Sequence, residues 1–279
     1  FAKGGSSVPP LGLAYIAATL ENNGVKVNII DGSVLNLDQG AIEKLLSKHN
    51  PDIVGVTALT PTLYRSYEVI NTVKKALPDS LIVIGGPHPS LFPTDVLKEN
   101  VNIDVSVYGE GEYTVLELAN NIESHGKDNS KSFEDVRGIA YRNNGQIRKN
   151  TPRPYIDDLD TLPFPARHLL PMDKYRPALY QIKRSPNTNL IASRGCPFNC
   201  NFCSKGVYGR KFRIRSPENV ITEIEYLIEK YGIKELLFWD DTFTLNKKWI
   251  EDFCILLKER NLDITWSCSS RVNKVDKLL

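Results

Sequence analysis

Residues 190–203 read Leu-Ile-Ala-Ser-Arg-Gly-Cys-Pro-Phe-Asn-Cys-Asn-Phe-Cys: a short apolar strand, Leu190 to Ser193, runs through Arg194-Gly195 into Cys196, Cys200 and Cys203. The chain has five cysteines, and none precedes this loop. An odd number, clustered this tightly and without a secretory signal, argues against a disulfide framework and for metal binding. The C-x-x-x-C-x-x-C spacing offers three soft thiolates from one loop. Structural zinc wants four ligands, whereas an iron–sulfur cubane held by three leaves one iron open. Cys254 and Cys268 each lie inside an apolar run and read as buried structural thiols. A zinc knuckle completed by Cys254, Cys268 or His168 is the competing reading.

Downstream of the loop the pattern repeats. A helix over Glu218–Tyr231, with Ser216 as N-cap and Pro217 in its first turn, is followed by a strand over Glu235–Trp239. A helix over Lys247–Arg260 and a strand over Ile264–Cys268 come next. Residues 188–279 therefore hold about three βα units at roughly 30 residues each, too few to close a barrel. Upstream, residues 127–187 contain a hairpin, Ile139 to Ile147, turning at Asn144-Gly145. Seven of the chain's 17 prolines then fall between Pro152 and Pro186 and predict an extended connection between domains.

Residues 1–126 alternate in the same way. Val25–Ile30, Ile53–Ala58, Leu81–Ile84 and Val105–Tyr108 read as buried parallel strands. Leu11–Asn23, Gln39–His49, Thr62–Leu77 and Glu112–Ser124 read as helices. This is a doubly wound, Rossmann-like α/β pattern whose first strand is expected before Phe1. The chain opens on Phe rather than Met, and Val275–Leu279 resembles the middle of a helix. A fragment of a longer protein is expected, impaired in catalysis on its own.

In a chain of 279 residues, 41% apolar and 24% charged residues exclude wholesale disorder. A formal charge of +2 is too small for general attraction to nucleic acid, so no nucleic-acid partner is expected. No membrane span or signal peptide is visible, which makes a cytoplasmic location the expectation. The cations Lys205, Arg210, Lys211, Arg213 and Arg215 crowd the cysteine loop. They read as a solvated or phosphate-facing loop, or as a surface for an anionic substrate or redox partner.

The cysteine loop, with Phe202 just before its third Cys, resembles the radical S-adenosylmethionine (SAM) superfamily. That resemblance implies a [4Fe-4S] cluster on Cys196, Cys200 and Cys203, with SAM chelated at the open iron and cleaved to a 5′-deoxyadenosyl radical. It points to Asp240 and Asp241 for the SAM ammonium and Arg271 for its carboxylate, although the family's glycine-rich motif is absent at the aspartates. Ahead of the loop, Thr57-Ala58-Leu59, Gly85-Gly86-Pro87-His88 and Gly109-Glu110-Gly111-Glu112 fall at ends of successive strands, where doubly wound sheets bind ligands. Together they resemble the cobalamin-binding domain of cobalamin-dependent radical SAM enzymes. On that likeness Thr57 and Leu59 lie beneath the cobalamin nucleotide tail, Gly85 and Gly86 near its dimethylbenzimidazole, and Gly109 to Glu112 at the pocket's border. The D-x-H-x-x-G motif fails after Asp31, where Ser33 and Asn36 replace His and Gly, so no histidine lower ligand is expected. His88, between two prolines, reads as structural. The implied activity is methylation of an unactivated carbon or phosphorus centre of a small molecule, with a flavodoxin or ferredoxin as electron donor. An oxidative cyclisation like that of the anaerobic magnesium-protoporphyrin monomethyl ester cyclases, and a non-catalytic zinc module, remain alternatives.

Overall fold

A computed structural model of the chain describes residues 7–178 and 182–275. It divides into two compact units, one spanning residues 15–155 and the other residues 156–279 with the first 14. The helical pattern expected at the carboxyl end lies mostly outside the described residues.

In the first unit β1 (Ile53–Thr57), β2 (Leu81–Gly85) and β3 (Val105–Val107) pair in parallel. β4 (Ile139–Asn143) and β5 (Gln146–Lys149) continue the sheet antiparallel, in the order β1-β2-β3-β4-β5. Alternation along β2 shows why helices cover both faces. Ile82 and Ile84 pack with Leu63, Ile70 and Val73 of α3 (Leu63–Ala76) and Leu46 of α2 (Gln39–His49). Leu81 and Val83 pack with Leu118 of α6 (Glu112–His125). The hairpin turns at Asn144 and Gly145, both at positive φ as a type I′ turn requires. It belongs to this sheet, an antiparallel edge on a parallel core.

Two expectations are corrected here. Val25–Ile30 follows α1 (Leu11–Asn22) but forms no strand among the described residues; its alternating apolar residues have the right period, yet a strand exists only through ladder hydrogen bonds, and none is made there to another described residue. After β2 the chain makes two short helices, α4 (Pro87–Leu91) and α5 (Asp95–Glu99), before β3. The proline-rich stretch is not an extended connection either. It coils through short 3₁₀ turns at Leu159–Thr161, Arg167–Leu169 and Met172–Lys174 and buries Leu159, Leu162, Ala166, Leu170 and Tyr175 within the second unit. Proline prevents long helices but leaves the apolar residues between prolines free to pack.

The second unit has a parallel sheet of β6 (Asn187–Leu190), β9 (Glu235–Phe238) and β10 (Thr265–Cys268), with β9 central. Leu190, Leu236 and Phe238 pack beneath Val220, Ile224 and Leu227 of α7 (Pro217–Tyr231) and Trp249 and Phe253 of α8 (Lys247–Glu259). Ser216 caps α7 by accepting from the Asn219 backbone NH at 3.1 Å, and Gly232 closes it at φ 62° with its NH on the Ile228 and Leu227 carbonyls. Between β6 and α7, β7 (Ser193–Arg194) and β8 (Arg213–Ile214) form an antiparallel pair whose connection is the cysteine loop.

Candidate functional site: a thiolate loop and a sheet edge

The loop is held at its base by backbone and arginine contacts. Gly195, at φ 82°, lies so close to the Lys211 and Tyr208 carbonyls that a Cβ would collide with both. Cys196 NH donates to the Gly209 carbonyl at 3.3 Å. Arg213 donates to the Ile156 and Tyr208 carbonyls at 2.8 and 3.2 Å, and Arg194 stacks over the Tyr208 ring. The thiols are graded in exposure: Cys196 buried, Cys200 partly covered, Cys203 exposed beside an almost fully exposed Phe202. Burial works to raise the Cys196 pKa, but the Thr242 hydroxyl at 3.4 Å, the Phe198 backbone NH and the Lys205 ammonium together bring it below the ordinary thiol value. Lys205 also bonds Cys203, and Arg271 Nη1 donates to the Cys200 sulfur at 3.0 Å.

The crowd of cations mostly serves the fold. Arg213 and Arg215 are buried. Lys211 pairs with Asp157 at 2.5 Å and Arg210 donates to Asn199 at 2.6 Å. Arg215 and a fully buried Arg167 each meet one oxygen of Glu223 at 2.5 Å, and Arg167 also caps the Asn189 carbonyl at 2.8 Å. A solvated or phosphate-facing basic loop therefore holds only for part of the set.

The aspartate pair splits. Asp240 is buried and accepts from the Ala192 and Ser193 backbone NH groups and the Ser193 hydroxyl, latching the strand that enters the cysteine loop. Burial pushes its pKa up to about 6 against those donors. Asp241 is exposed. Cys254 and Cys268 pack against the helix-facing core, their pKa values raised by burial, as structural thiols should be. The roles of Thr242, Phe198 and Ser193 escaped the sequence reading; their signal was position alone, Thr242 two residues beyond Asp240, Ser193 at the end of the strand entering the cysteine loop and Phe198 inside that loop.

In the first unit the residues expected at strand ends do meet. Ala58 NH donates to the Gly85 carbonyl at 2.8 Å and His88 NH to the Ala58 carbonyl at 3.1 Å. Ser90 links the next strand end, donating to the Gly86 carbonyl at 2.8 Å and accepting from Gly109 NH at 3.1 Å. Gly86, at φ 103°, brings its α-carbon so near Thr57 that a Cβ would lie 2.8 Å from the Thr57 hydroxyl. Gly111 leaves room for Ile16 in the same way, while Gly109, at φ 79°, faces open space. Glu110 and Glu112 are buried. Leu59, Tyr64, Leu91 and Phe92 are exposed. After Asp31, whose carboxylate accepts from Ser33 and Val34 NH, the chain turns without a histidine. His88 Nδ1 is 3.0 Å from the Thr60 hydroxyl and its ring lies against Phe92, as a structural histidine would.

Comparison with known proteins gives these two regions their class. Residues 1–119 match the B12 binding domain and residues 190–279 the Radical SAM superfamily. The chain carries a B12-binding domain followed by a radical SAM domain, which places it in the cobalamin-dependent radical SAM family. An "Uncharacterized methyltransferase" of Pyrococcus horikoshii is 43% identical over 96% of this chain and 56% of its own length. The anaerobic magnesium-protoporphyrin IX monomethyl ester cyclase of Rubrivivax gelatinosus is 34% identical over 97% of this chain and 49% of its own. The chain thus spans about half the length of these relatives. The fold is that of the cobalamin-dependent SAM radical enzyme OxsB, with a TM-score of 0.82 at 22% identity over 98% of this chain and 37% of that one.

These domains imply a [4Fe-4S] cluster, SAM and cobalamin. The residues fit the cluster: three thiols project from one braced loop with cations on their sulfurs. Among the described residues no three His, Cys, Asp or Glu side chains gather around a single-ion position. A cubane asks for a different arrangement, each thiolate meeting its own iron. The sheet edge fits a large, partly apolar macrocycle, because its turns approach closely and its rim exposes Leu59, Leu91 and Phe92.

Proposed function

We propose that the protein is a cobalamin-dependent radical SAM methyltransferase acting on an unactivated carbon or phosphorus centre of a small molecule. The observation that carries this is the thiolate loop at the strand ends of a radical SAM domain that follows a B12-binding domain with an open apolar edge. When bound, the cluster supplies the electron that opens the SAM sulfonium, and cobalamin the methyl group. Cys196, Cys200 and Cys203 hold the cluster. Thr57, Leu59, Gly85, Gly86 and the Gly109–Glu112 turn border the cobalamin, which has no histidine ligand from this chain. Asp241, the solvent-facing aspartate, meets the SAM ammonium, and Asp240 fixes the strand behind it. A flavodoxin or ferredoxin delivers the electron, and the reaction belongs in the cytoplasm; among the described residues no helix is long and apolar enough to cross a membrane.

Similarity to the cyclase favours one second reading, oxidative ring closure. The products separate the two. Reconstituted anaerobically with SAM, reductant and candidate substrates, a methyltransferase yields 5′-deoxyadenosine and S-adenosylhomocysteine with a product heavier by one CH2, a methyl group having replaced the abstracted hydrogen. Ring closure yields deoxyadenosine without S-adenosylhomocysteine. A protein retaining zinc and no inorganic sulfide would defeat both.

A further inference from the structure

The cation on Cys200 has a setting of its own. Arg271 follows β10, the far edge of the parallel sheet, and reaches back to the cysteine loop. Its guanidinium lies 4.0 Å from the centre of the Phe198 ring, between Cys196 and Cys200, while Nη1 donates to the Cys200 sulfur at 3.0 Å. Nε donates to Asn273 Oδ1 at 3.3 Å, which orients the guanidinium plane from its other side. Ring stack, thiol contact and amide contact fix the group from three directions, an arrangement that a planar fork can satisfy and a lysine ammonium cannot. Within the loop itself Lys205 bonds the sulfurs of both Cys196 and Cys203. Each of the three thiols therefore has a cation on it, from two separate loops. The neighbouring Arg210, Lys211 and Arg215 have Asn199, Asp157 and Glu223 as partners instead.

We propose that Arg271, braced on Phe198 and seconded by Lys205, is a positioning residue that raises the reduction potential of the cluster by hydrogen bonding to the Cys200 sulfur. The proposal rests on the reading of the loop as a cluster site. Reduction adds one electron, from an external one-electron donor, to a cage that already carries three thiolates. No bond at Arg271 breaks and no proton moves; its fixed positive charge and N–H bond favour the more negative state. Hydrogen bonds to the sulfurs and local charge are recognised determinants of such potentials. Arg271 would thus act through the sulfur, in contrast to a role as the partner of the SAM carboxylate.

The test is a redox titration of the anaerobically reconstituted protein without SAM, followed by optical and electron paramagnetic resonance spectra, with iron and sulfide counted per chain. Arg271→Gln should keep wild-type iron and sulfide and lower the midpoint. The expected size is about a tenfold smaller reduced fraction at a fixed poise, or about 59 mV for a one-electron couple. Arg271→Lys, retaining charge without the fork, should shift it less, and Phe198→Leu least. If Arg271→Gln loses the cluster, the other two variants decide: a negative shift in both supports the proposal and unchanged midpoints overturn it. A full cluster with an unmoved midpoint in Arg271→Gln overturns it, and weaker SAM binding alongside would assign Arg271 to the carboxylate. If the wild-type protein holds no inorganic sulfide, the cluster reading itself fails and takes this inference with it.

Discussion

The two units fix their ligand-facing edges by opposite means. In the B12-binding unit the edge is backbone: Gly86 and Gly111 let neighbouring segments touch, and single hydrogen bonds tie Ala58 to Gly85 and, through Ser90, Gly86 to Gly109. In the radical SAM unit the loop stands on buried charge: Arg213 on two carbonyls, Asp240 on Ser193, and Glu223 between two arginines. A surface ligand needs close approach, which glycine permits at small cost. A loop that must present three sulfurs in fixed relation needs its base locked, and charge-assisted hydrogen bonds lock more firmly than neutral ones.

The largest effect should come from breaking the thiol set. Cys200→Ala should drop deoxyadenosine formation to the level without enzyme while the protein still carries a corrinoid spectrum through gel filtration, because the B12-binding unit has its own core. Loss of both signals together would show that the units do not hold their cofactors separately.

Next is the ion triad. Burial works against the Glu223 charge, but Arg215 and Arg167 outweigh it and hold its pKa below the ordinary value. Glu223→Gln leaves two buried guanidinium groups without their counterion and should cost about 3–5 kcal/mol, read as a lower urea midpoint. A smaller effect comes from the backbone edge. Gly86→Ala forces a Cβ onto Thr57 at positive φ and should cost about 1–3 kcal/mol, with weaker corrinoid retention. Gly109→Ala, facing open space, should cost only about 1 kcal/mol. Equal costs at the two glycines would refute the close-approach account.

Legibility follows the range of the interactions. The thiol loop could be read because its ligands fall within eight residues and need no distant partner to declare themselves. The helices Gln39–His49 and Glu218–Tyr231 could be read from their period, the second also from Ser216, the cap lying beside it. Val25–Ile30 misled because periodicity reports a possible face and says nothing of a neighbour to bond. Arg167 could not be foreseen as buried: its counterion is 56 residues away, and nothing near it in the chain marks the pair. Asp240 and Asp241 are alike as letters, and only the turn of the strand sends one inward to Ser193 and the other to solvent.

That turn of the strand makes Asp240 the subtlest test of how the loop is locked. Its pKa, pushed up to about 6 from an ordinary 3.8, means the folded state binds its proton more tightly than the unfolded chain does. The sign follows: its contribution to stability is fully present below about pH 4 and is lost as pH rises through about 6, to a total of about 3 kcal/mol at most. Asp240→Asn removes the titration and, by placing an amide where the carboxylate accepts from both Ala192 and Ser193, sacrifices about 1 kcal/mol of hydrogen bonding at every pH. Other carboxylates, Glu223 among them, make the whole protein less stable in acid, so the quantity to measure is the difference between variant and wild type. Urea midpoints taken from pH 4 to pH 8 should show Asp240→Asn weaker than wild type in acid and gaining on it through about pH 6. A difference that stays flat across that range would mean that Asp240 is ionised throughout, held as firmly by its donors as Glu223 is by its arginines.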